Sequence, residues 1–181
     1  KGVFSFCMCP GGIIAPAATS PGELVVNGWS HSKRNNAFAN SGIVVSVETE
    51  DVLKMMARQK EKQIAAGSPL LMMEFQRMVE KAAFDAGGGK FVAPAQRLVD
   101  FANDKVSSSL PDCSYLPGVR SASLKEVLPG FVHRRLQQAF REYGKKMKGY
   151  FTNEALVVAT ESRTSSPVRI PRQADTLQHP Q

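Results

Sequence analysis

The first quarter of the chain alternates short apolar runs with turns rich in glycine and proline. Runs of this length between such turns predict four strands, over residues 2–9, 13–18, 23–28 and 42–47. Leu24–Val26 and Ile43–Val45 are continuous apolar runs, which are typical of strands covered on both faces. The pattern predicts an antiparallel meander or part of a larger sheet.

Two later segments repeat apolar residues every three or four positions, which is the spacing of one helix face. The first follows Ser68, a good N-cap, with Pro69 at the first helical position, and ends at Gly87, which suits a left-handed C-cap. The second covers residues 131–143 and is followed by Gly144 as its cap. These segments are predicted to be the two principal helices.

Weaker patterns assign most of the remaining chain. The predicted elements are a charged surface helix at 49–66, a short helix at 94–103, a helical turn begun by the capping box Ser123–Glu126, and an apolar strand at 154–160. Residues 104–120 are a long connection rich in serine and proline, and residues 171–181 are a polar tail. The sum is an α+β fold, an antiparallel or mixed sheet packed against helices, within one domain at 1–170.

Composition and charge exclude few classes of protein. Hydrophobic residues are 43% and charged residues 22% of the 181, both ordinary for a globular protein. The apolar runs all fall short of the roughly 20 residues that a membrane helix needs. The net charge of +7 permits nucleic acid or anionic cofactors as ligands. The chain starts at Lys1 inside a predicted strand, and we expect it to be a piece of a longer protein.

The three cysteines predict neither a disulfide framework nor a metal site. Cys7 and Cys9 form a Cys-x-Cys pair, Cys113 stands apart, and the histidines are scattered. In a regular strand Cys7 and Cys9 share one face. They are therefore either packing residues or thiols that touch a redox group.

Three polar stretches have both a structural and a functional interpretation. Pro10-Gly11-Gly12 is either a tight turn or a place where bare backbone approaches a ligand. The loop at 29–41, which carries Lys33 and Arg34, is either solvated or an anion-binding loop. The stretch 161–170 places Arg163 and Arg169 among four hydroxyl groups, which suits either an exposed hairpin or bidentate binding of phosphate or carboxylate.

The second principal helix presents a basic face. Its cations are Arg134, Arg135, Arg141, Lys145 and Lys146. They indicate either a solvated face, with bases favoured at a helix C-terminus, or a nucleic-acid-binding module. The first is preferred because the face carries no interleaved aromatic residue.

Several short motifs, taken in order, resemble one known family. They are Phe6-Cys-Met-Cys-Pro-Gly-Gly12, Val26-Asn-Gly28, Arg34 with Ala39-Asn-Ser41, Phe75-Gln-Arg77, Gly87-Gly-Gly89 and Glu161-Ser-Arg-Thr-Ser-Ser-Pro-Val-Arg-Ile170. This order is similar to the large FAD-dependent dehydrogenases, mostly uncharacterised flavoproteins of bacteria and plastids. The similarity covers nearly the whole chain apart from the helix at 49–66, which resembles an insertion.

The resemblance implies the middle and C-terminal part of such a flavoprotein, a cap or substrate-side domain that closes over the flavin. The sequence has no Gly-x-Gly-x-x-Gly turn after a strand, so we expect FAD binding to need flanking segments of the same protein. The resemblance places these residues near the flavin: Cys7, Cys9, Gly11, Gly12, Asn27, Arg34, Asn40, Arg163, Thr164, Ser165, Ser166 and Arg169. Cys7 and Cys9 are the candidate catalytic thiols.

Two other interpretations of the whole chain stay open beside the oxidoreductase. One is the basic nucleic-acid-binding module, and the other is a non-catalytic fragment that binds a partner. We expect a protein without membrane segments, in the cytoplasm or a plastid. The family implies no particular substrate.

Overall fold

The four N-terminal strands pair as two antiparallel ribbons. In this computed structural model, which describes residues 2–58, 67–163, 166 and 170–179, β1 (Val3–Cys9) pairs with β4 (Asn40–Val45). Strand β2 (Ile13–Ala17) pairs with β3 (Val25–Trp29). The predicted strands are therefore confirmed, but the predicted meander is wrong, because the second ribbon is nested within the connection that joins β1 to β4.

A mixed three-stranded sheet forms in the second half of the chain. Its central strand β5 (Ala93–Arg97) runs parallel to β6 (Val119–Ser121) and antiparallel to β7 (Leu156–Val158). The prediction of a helix across 94–103 is wrong for its first part, and only α3 (Leu98–Ala102) is helical. Ala93 to Gln96 are buried between neighbours on both sides, and this tertiary pairing outweighs a weak local preference.

Helices cover the sheets and complete the α+β fold that the sequence predicts. They are α1 (Thr49–Arg58), α2 (Leu71–Gly87), α4 (Leu124–Val127) and α5 (Gly130–Lys146). The ring of Phe101, from α3, is fully buried and meets Phe140 of α5 edge-on with centroids 5.5 Å apart. No helix in the described part of the chain is long and apolar enough to span a bilayer.

The ends of the two principal helices differ from the sequence prediction. Ser68 lies before α2 in a turn, where its hydroxyl accepts from the Leu70 N–H at 3.2 Å, and is not the N-cap. The left-handed C-cap is Gly88, at φ 88°, and not Gly87. Helix α5 continues past Gly144 to Lys146, and a Cβ on Gly144 would lie 2.5 Å from Cβ of Phe151. Gly144 thus serves packing and not capping.

The burial of the apolar runs also corrects part of the prediction. Leu24–Val26 are buried as expected, but Ile43–Val45 are only half-buried, so β4 is not covered on both faces. Strand β1 is largely exposed, with Phe4 56% and Met8 72% accessible. The predicted surface helix at 49–66 is helical over its described part, and Val52 on it is fully buried. Residues 59–66 lie outside the described residues.

The predicted capping box at Ser123 forms the expected turn but not by the expected contact. The Ser123 side chain makes no cap hydrogen bond to α4. The Leu124 N–H instead donates to Oε1 of the buried Gln96, at 2.8 Å, and Nε2 of Gln96 donates to the Lys105 carbonyl at 2.7 Å. A side chain from the central strand β5 therefore caps α4.

Replacing Gln96 with alanine is expected to cost about 2 kcal/mol of unfolding free energy, because the buried Leu124 N–H then loses its acceptor. Ser123→Ala is the matched control and should change stability by less than about 0.5 kcal/mol. Urea denaturation of both variants measures the difference. Equal losses would show that the serine hydroxyl caps α4 after all.

Candidate functional site

A large cavity of about 1220 Å³ opens between the N-terminal ribbons and the helices. One wall is β4, a second is the stretch Glu154–Ser162 that contains β7, and α2 and α5 contribute apolar side chains. The Cys9–Pro10 turn reaches the cavity from the end of β1. A cavity of this size exceeds the roughly 300–1,000 Å³ of most small-molecule pockets.

Asn40 is the best-defined polar group on the β4 wall. Its Nδ2 donates to the Ile13 carbonyl at 3.2 Å, while its Oδ1 is buried and accepts no hydrogen bond from the described residues. A Cβ on Gly28 would lie 1.9 Å from this Oδ1, and one on Gly12 would lie 2.8 Å from Nδ2. Two glycines thus make room for the Asn40 amide and leave one acceptor unpaired.

The Pro10-Gly11-Gly12 turn closes against the polar loop before β4. Gly11 has φ 57°, and a Cβ there would lie 1.9 Å from the Arg34 carbonyl oxygen. The Gly12 N–H donates to the Phe38 carbonyl at 3.0 Å. The bare backbone therefore approaches another part of the chain. The Arg34 and Asn27 side chains are exposed, and neither lines the cavity.

Arg163 is engaged inside the protein. Its guanidinium group donates to both carboxylate oxygens of Glu80, from Nε at 2.9 Å and from Nη2, and Nη1 donates to the Thr19 hydroxyl. Glu80 is fully buried on α2 and also accepts from the Ser162 hydroxyl at 2.6 Å. Bidentate binding was one of the two interpretations of this stretch. Arg163 does bind a carboxylate in this way, but the carboxylate is internal, and the contact fixes the chain after β7 to α2.

The sequence predicts that the two N-terminal cysteines share a strand face, but in the structure they do not. The pairing of β1 with β4 shifts register between Phe6 and Cys9, and Cys7 has φ 49°. Cys7 is exposed, whereas Cys9 is 8% accessible and lines the cavity. An irregularity of this kind breaks the strict alternation on which the prediction depended.

Glu161 is a cavity residue that the sequence analysis did not single out as a candidate. It is half-buried on the cavity wall directly after Thr160, and burial raises the pKa of its carboxyl group above the ordinary value. The sequence offered one signal, a carboxylate at the end of an apolar strand and before two arginines. That position does not by itself indicate burial.

The predicted site residues therefore fall into three groups. Cys9, Asn40 and Ser166 line the cavity. The residues outside its lining are Cys7, Gly11, Gly12, Asn27, Arg34 and Arg163. Thr164, Ser165 and Arg169 lie outside the described residues.

The basic face of α5 is partly used within the fold. Arg135 donates to the Ser46 carbonyl at 3.2 Å and lies 3.5 Å from the Asp51 carboxylate. Arg141 donates to the Ala102 carbonyl, and Nζ of Lys145 lies 2.7 Å from Glu142. Three of the five predicted cations thus contact the chain itself.

Comparison with known proteins decides the family. The family described as FAD-dependent protein, C-terminal domain-like, matches residues 1–164. The chain belongs to this family. It contains both the β4 wall and the β7 wall of the cavity within the matched residues. The family resemblance expected from the sequence is therefore confirmed as membership of an FAD-dependent family.

One relative shows how much of a longer protein the domain covers. An uncharacterized protein of Clostridium beijerinckii is 43% identical over 176 residues, which are 96% of this chain and 31% of the relative. The chain thus spans about a third of the length of the curated relative that it matches.

The cavity of this FAD-dependent protein domain meets part of what a flavin needs. Its size suits a ring system together with a second molecule, and the Asn40 Oδ1, which accepts no hydrogen bond from the described residues, is the type of acceptor that a ring N–H requires. The sequence has no Gly-x-Gly-x-x-Gly turn to bind a pyrophosphate. The residues present therefore fit the ring end of FAD and not its dinucleotide end.

Proposed function

We propose that this domain forms the substrate-side wall of the flavin pocket in an FAD-dependent oxidoreductase. The cavity between β4 and the stretch after β7 supports the proposal most directly, because both of its walls lie within the family match. FAD, when bound, supplies transfer of a hydride or an electron pair. The domain contributes orientation, exclusion of water and polar contacts at the ring.

The residues in and around the cavity have different proposed roles, which follow from their positions. Asn40 offers its unpaired Oδ1 to a donor on the ring, and Gly28 and Gly12 keep space for that amide. Arg163 acts by holding the wall after β7 against α2 through Glu80. Cys9 lies on the cavity wall and is the thiol placed to meet a redox group, whereas Cys7 is exposed and lies outside the cavity lining.

The remainder of the pocket is proposed to come from flanking segments of the same protein. A longer relative of which this chain covers 31% supports this arrangement. The exposed apolar residues of the N-terminal ribbons support it as well, since Phe4, Met8 and Trp29 are 56%, 72% and 46% accessible. Phe4 and Met8 lie on the same strand, and contiguous exposed apolar surface commonly marks a covered interface.

Replacing Asn40 with alanine is expected to weaken FAD binding about fivefold in a protein that carries the flanking segments, because one hydrogen bond at the ring is lost. Quenching of flavin fluorescence measures the affinity. Asn27→Ala is the matched control, since Asn27 lies on the neighbouring strand β3 but outside the cavity lining, and it should bind as tightly as the unmodified protein. Equal affinity of all three proteins would remove Asn40 from the pocket.

A further inference from the structure

The Glu161 carboxyl group occupies a space that a glycine leaves open. A Cβ on Gly42 would lie 2.7 Å from Oε2 of Glu161 and 2.6 Å from a ring carbon of Phe6. The absent side chain at Gly42 therefore lets the carboxyl group lie beside the Phe6 ring at the β4 wall. In this way an ionisable group is placed in a predominantly apolar part of the cavity.

No described residue donates a hydrogen bond or provides a cation to Glu161. Arg163, two residues further along the chain, donates to Glu80 instead. On the adjoining helix, Gln76 donates to the Ser162 carbonyl instead. Among the described residues, the other ionisable groups that line the cavity are Glu48, Asp112, Glu154, Cys9, Cys113 and Tyr150. They include no cation.

We propose that Glu161 is the acid–base residue of the cavity, and that its ligand is a largely apolar small molecule with one reacting hydroxyl, carbonyl or amino group. The inference rests on the proposed function, because the substrate side of a flavin pocket is where such a molecule reacts. An unpaired carboxyl group in a large apolar cavity is the arrangement used to exchange a proton with a bound ligand.

The proposed step is a proton transfer alone. An O–H or N–H bond of the ligand breaks and an O–H bond forms on the Glu161 carboxylate. The negative charge moves from the carboxylate to the ligand atom. The reverse transfer, from the carboxylic acid back to the deprotonated oxygen or nitrogen of the ligand, uses the same two atoms and needs no further reactant.

Burial raises the pKa of Glu161, and this shift makes the stability of the fold depend on pH. The folded state holds the proton more tightly than the unfolded state, so ionisation destabilises the fold as the pH rises through the folded-state pKa. Glu161→Gln removes this penalty. The variant should therefore melt at a higher temperature than the unmodified chain at about pH 8, and at nearly the same temperature at about pH 4.

Three measurements on this chain test the proposal, with Glu154→Gln as the matched control from the exposed rim of the cavity. Carbon NMR should show one glutamate that titrates above the ordinary value of 4.5 and disappears in Glu161→Gln. The rise in melting temperature at alkaline pH should appear in Glu161→Gln only. The probe 4-nitrophenol, an apolar ring with one hydroxyl group, should bind the unmodified chain about tenfold more tightly than Glu161→Gln.

Any one of three results would overturn the inference. They are an ordinary titration of Glu161, a change in melting temperature that does not depend on pH, and binding of the probe that is absent or equal in the two proteins. Flavin binding, measured separately on the protein with its flanking segments, distinguishes this failure from that of the proposed function. No flavin binding by the unmodified protein refutes the proposed function. Normal flavin binding together with any of those three results refutes the role of Glu161 alone.

Discussion

Replacing Arg163 with alanine should destabilise the chain by about 3 kcal/mol, measured by urea denaturation. The substitution leaves the fully buried Glu80 carboxylate without its bidentate partner, and breaking a buried ion pair commonly costs about 3–5 kcal/mol. The lower end applies because the Arg163 side chain is 40% exposed and its charge is partly screened by solvent.

The control for this prediction is the same substitution in a Glu80→Gln background. Without a negative charge at position 80, the loss of Arg163 should cost much less, and the two substitutions should be strongly non-additive. Additive losses would mean that Arg163 stabilises the fold through other contacts. A stable Arg163→Ala variant that fails to bind FAD would instead indicate that Arg163 contacts the ligand directly.

Replacing Gly11 with alanine should also cost about 3 kcal/mol. Its positive φ disfavours any side chain by about 1 kcal/mol, and the new Cβ would meet the Arg34 carbonyl oxygen at 1.9 Å, which the backbone relieves only by moving. The turn that carries Cys9 into the cavity would move with it. Flavin binding by the protein with its flanking segments should fall in parallel.

Gly22→Ala provides the matched control for this second prediction. Gly22 also has positive φ, 79°, but a Cβ there meets nothing within 4 Å. It should cost only the conformational part, about 1 kcal/mol. A similar loss at the two positions would show that the close approach of Gly11 to the Arg34 backbone contributes nothing.

Local patterns predicted most of the elements, and tertiary contacts set the details that the patterns missed. The α+β class, the N-terminal strands and both principal helices follow from periodicity and turn residues. The strand at Ala93–Arg97 could not be predicted in this way, because a buried central strand of small residues has no alternating pattern of apolar and polar positions. The cap of α4 was also missed, since Gln96 is distant from it in sequence.

The candidate site was less predictable than the fold. Of the residues that the motif resemblance named, Cys9, Asn40 and Ser166 line the cavity, because their short stretches lie on its walls. Arg163 looked available in the sequence, and only the burial of Glu80 on a distant helix explains its internal role. Glu161 was missed because its distinguishing property is burial beside Gly42, which depends on the pairing of β1 with β4.

The visible absorbance spectrum tests the central claim most directly, recorded with added FAD on this chain and on a version extended at both ends by its flanking segments. Our account predicts the spectrum of a bound flavin for the extended protein, with retention of the flavin through gel filtration. It predicts weak or no retention for the chain alone, which lacks a dinucleotide-binding turn. An extended, folded protein that retains no flavin would contradict the assignment of the cavity to a flavin pocket.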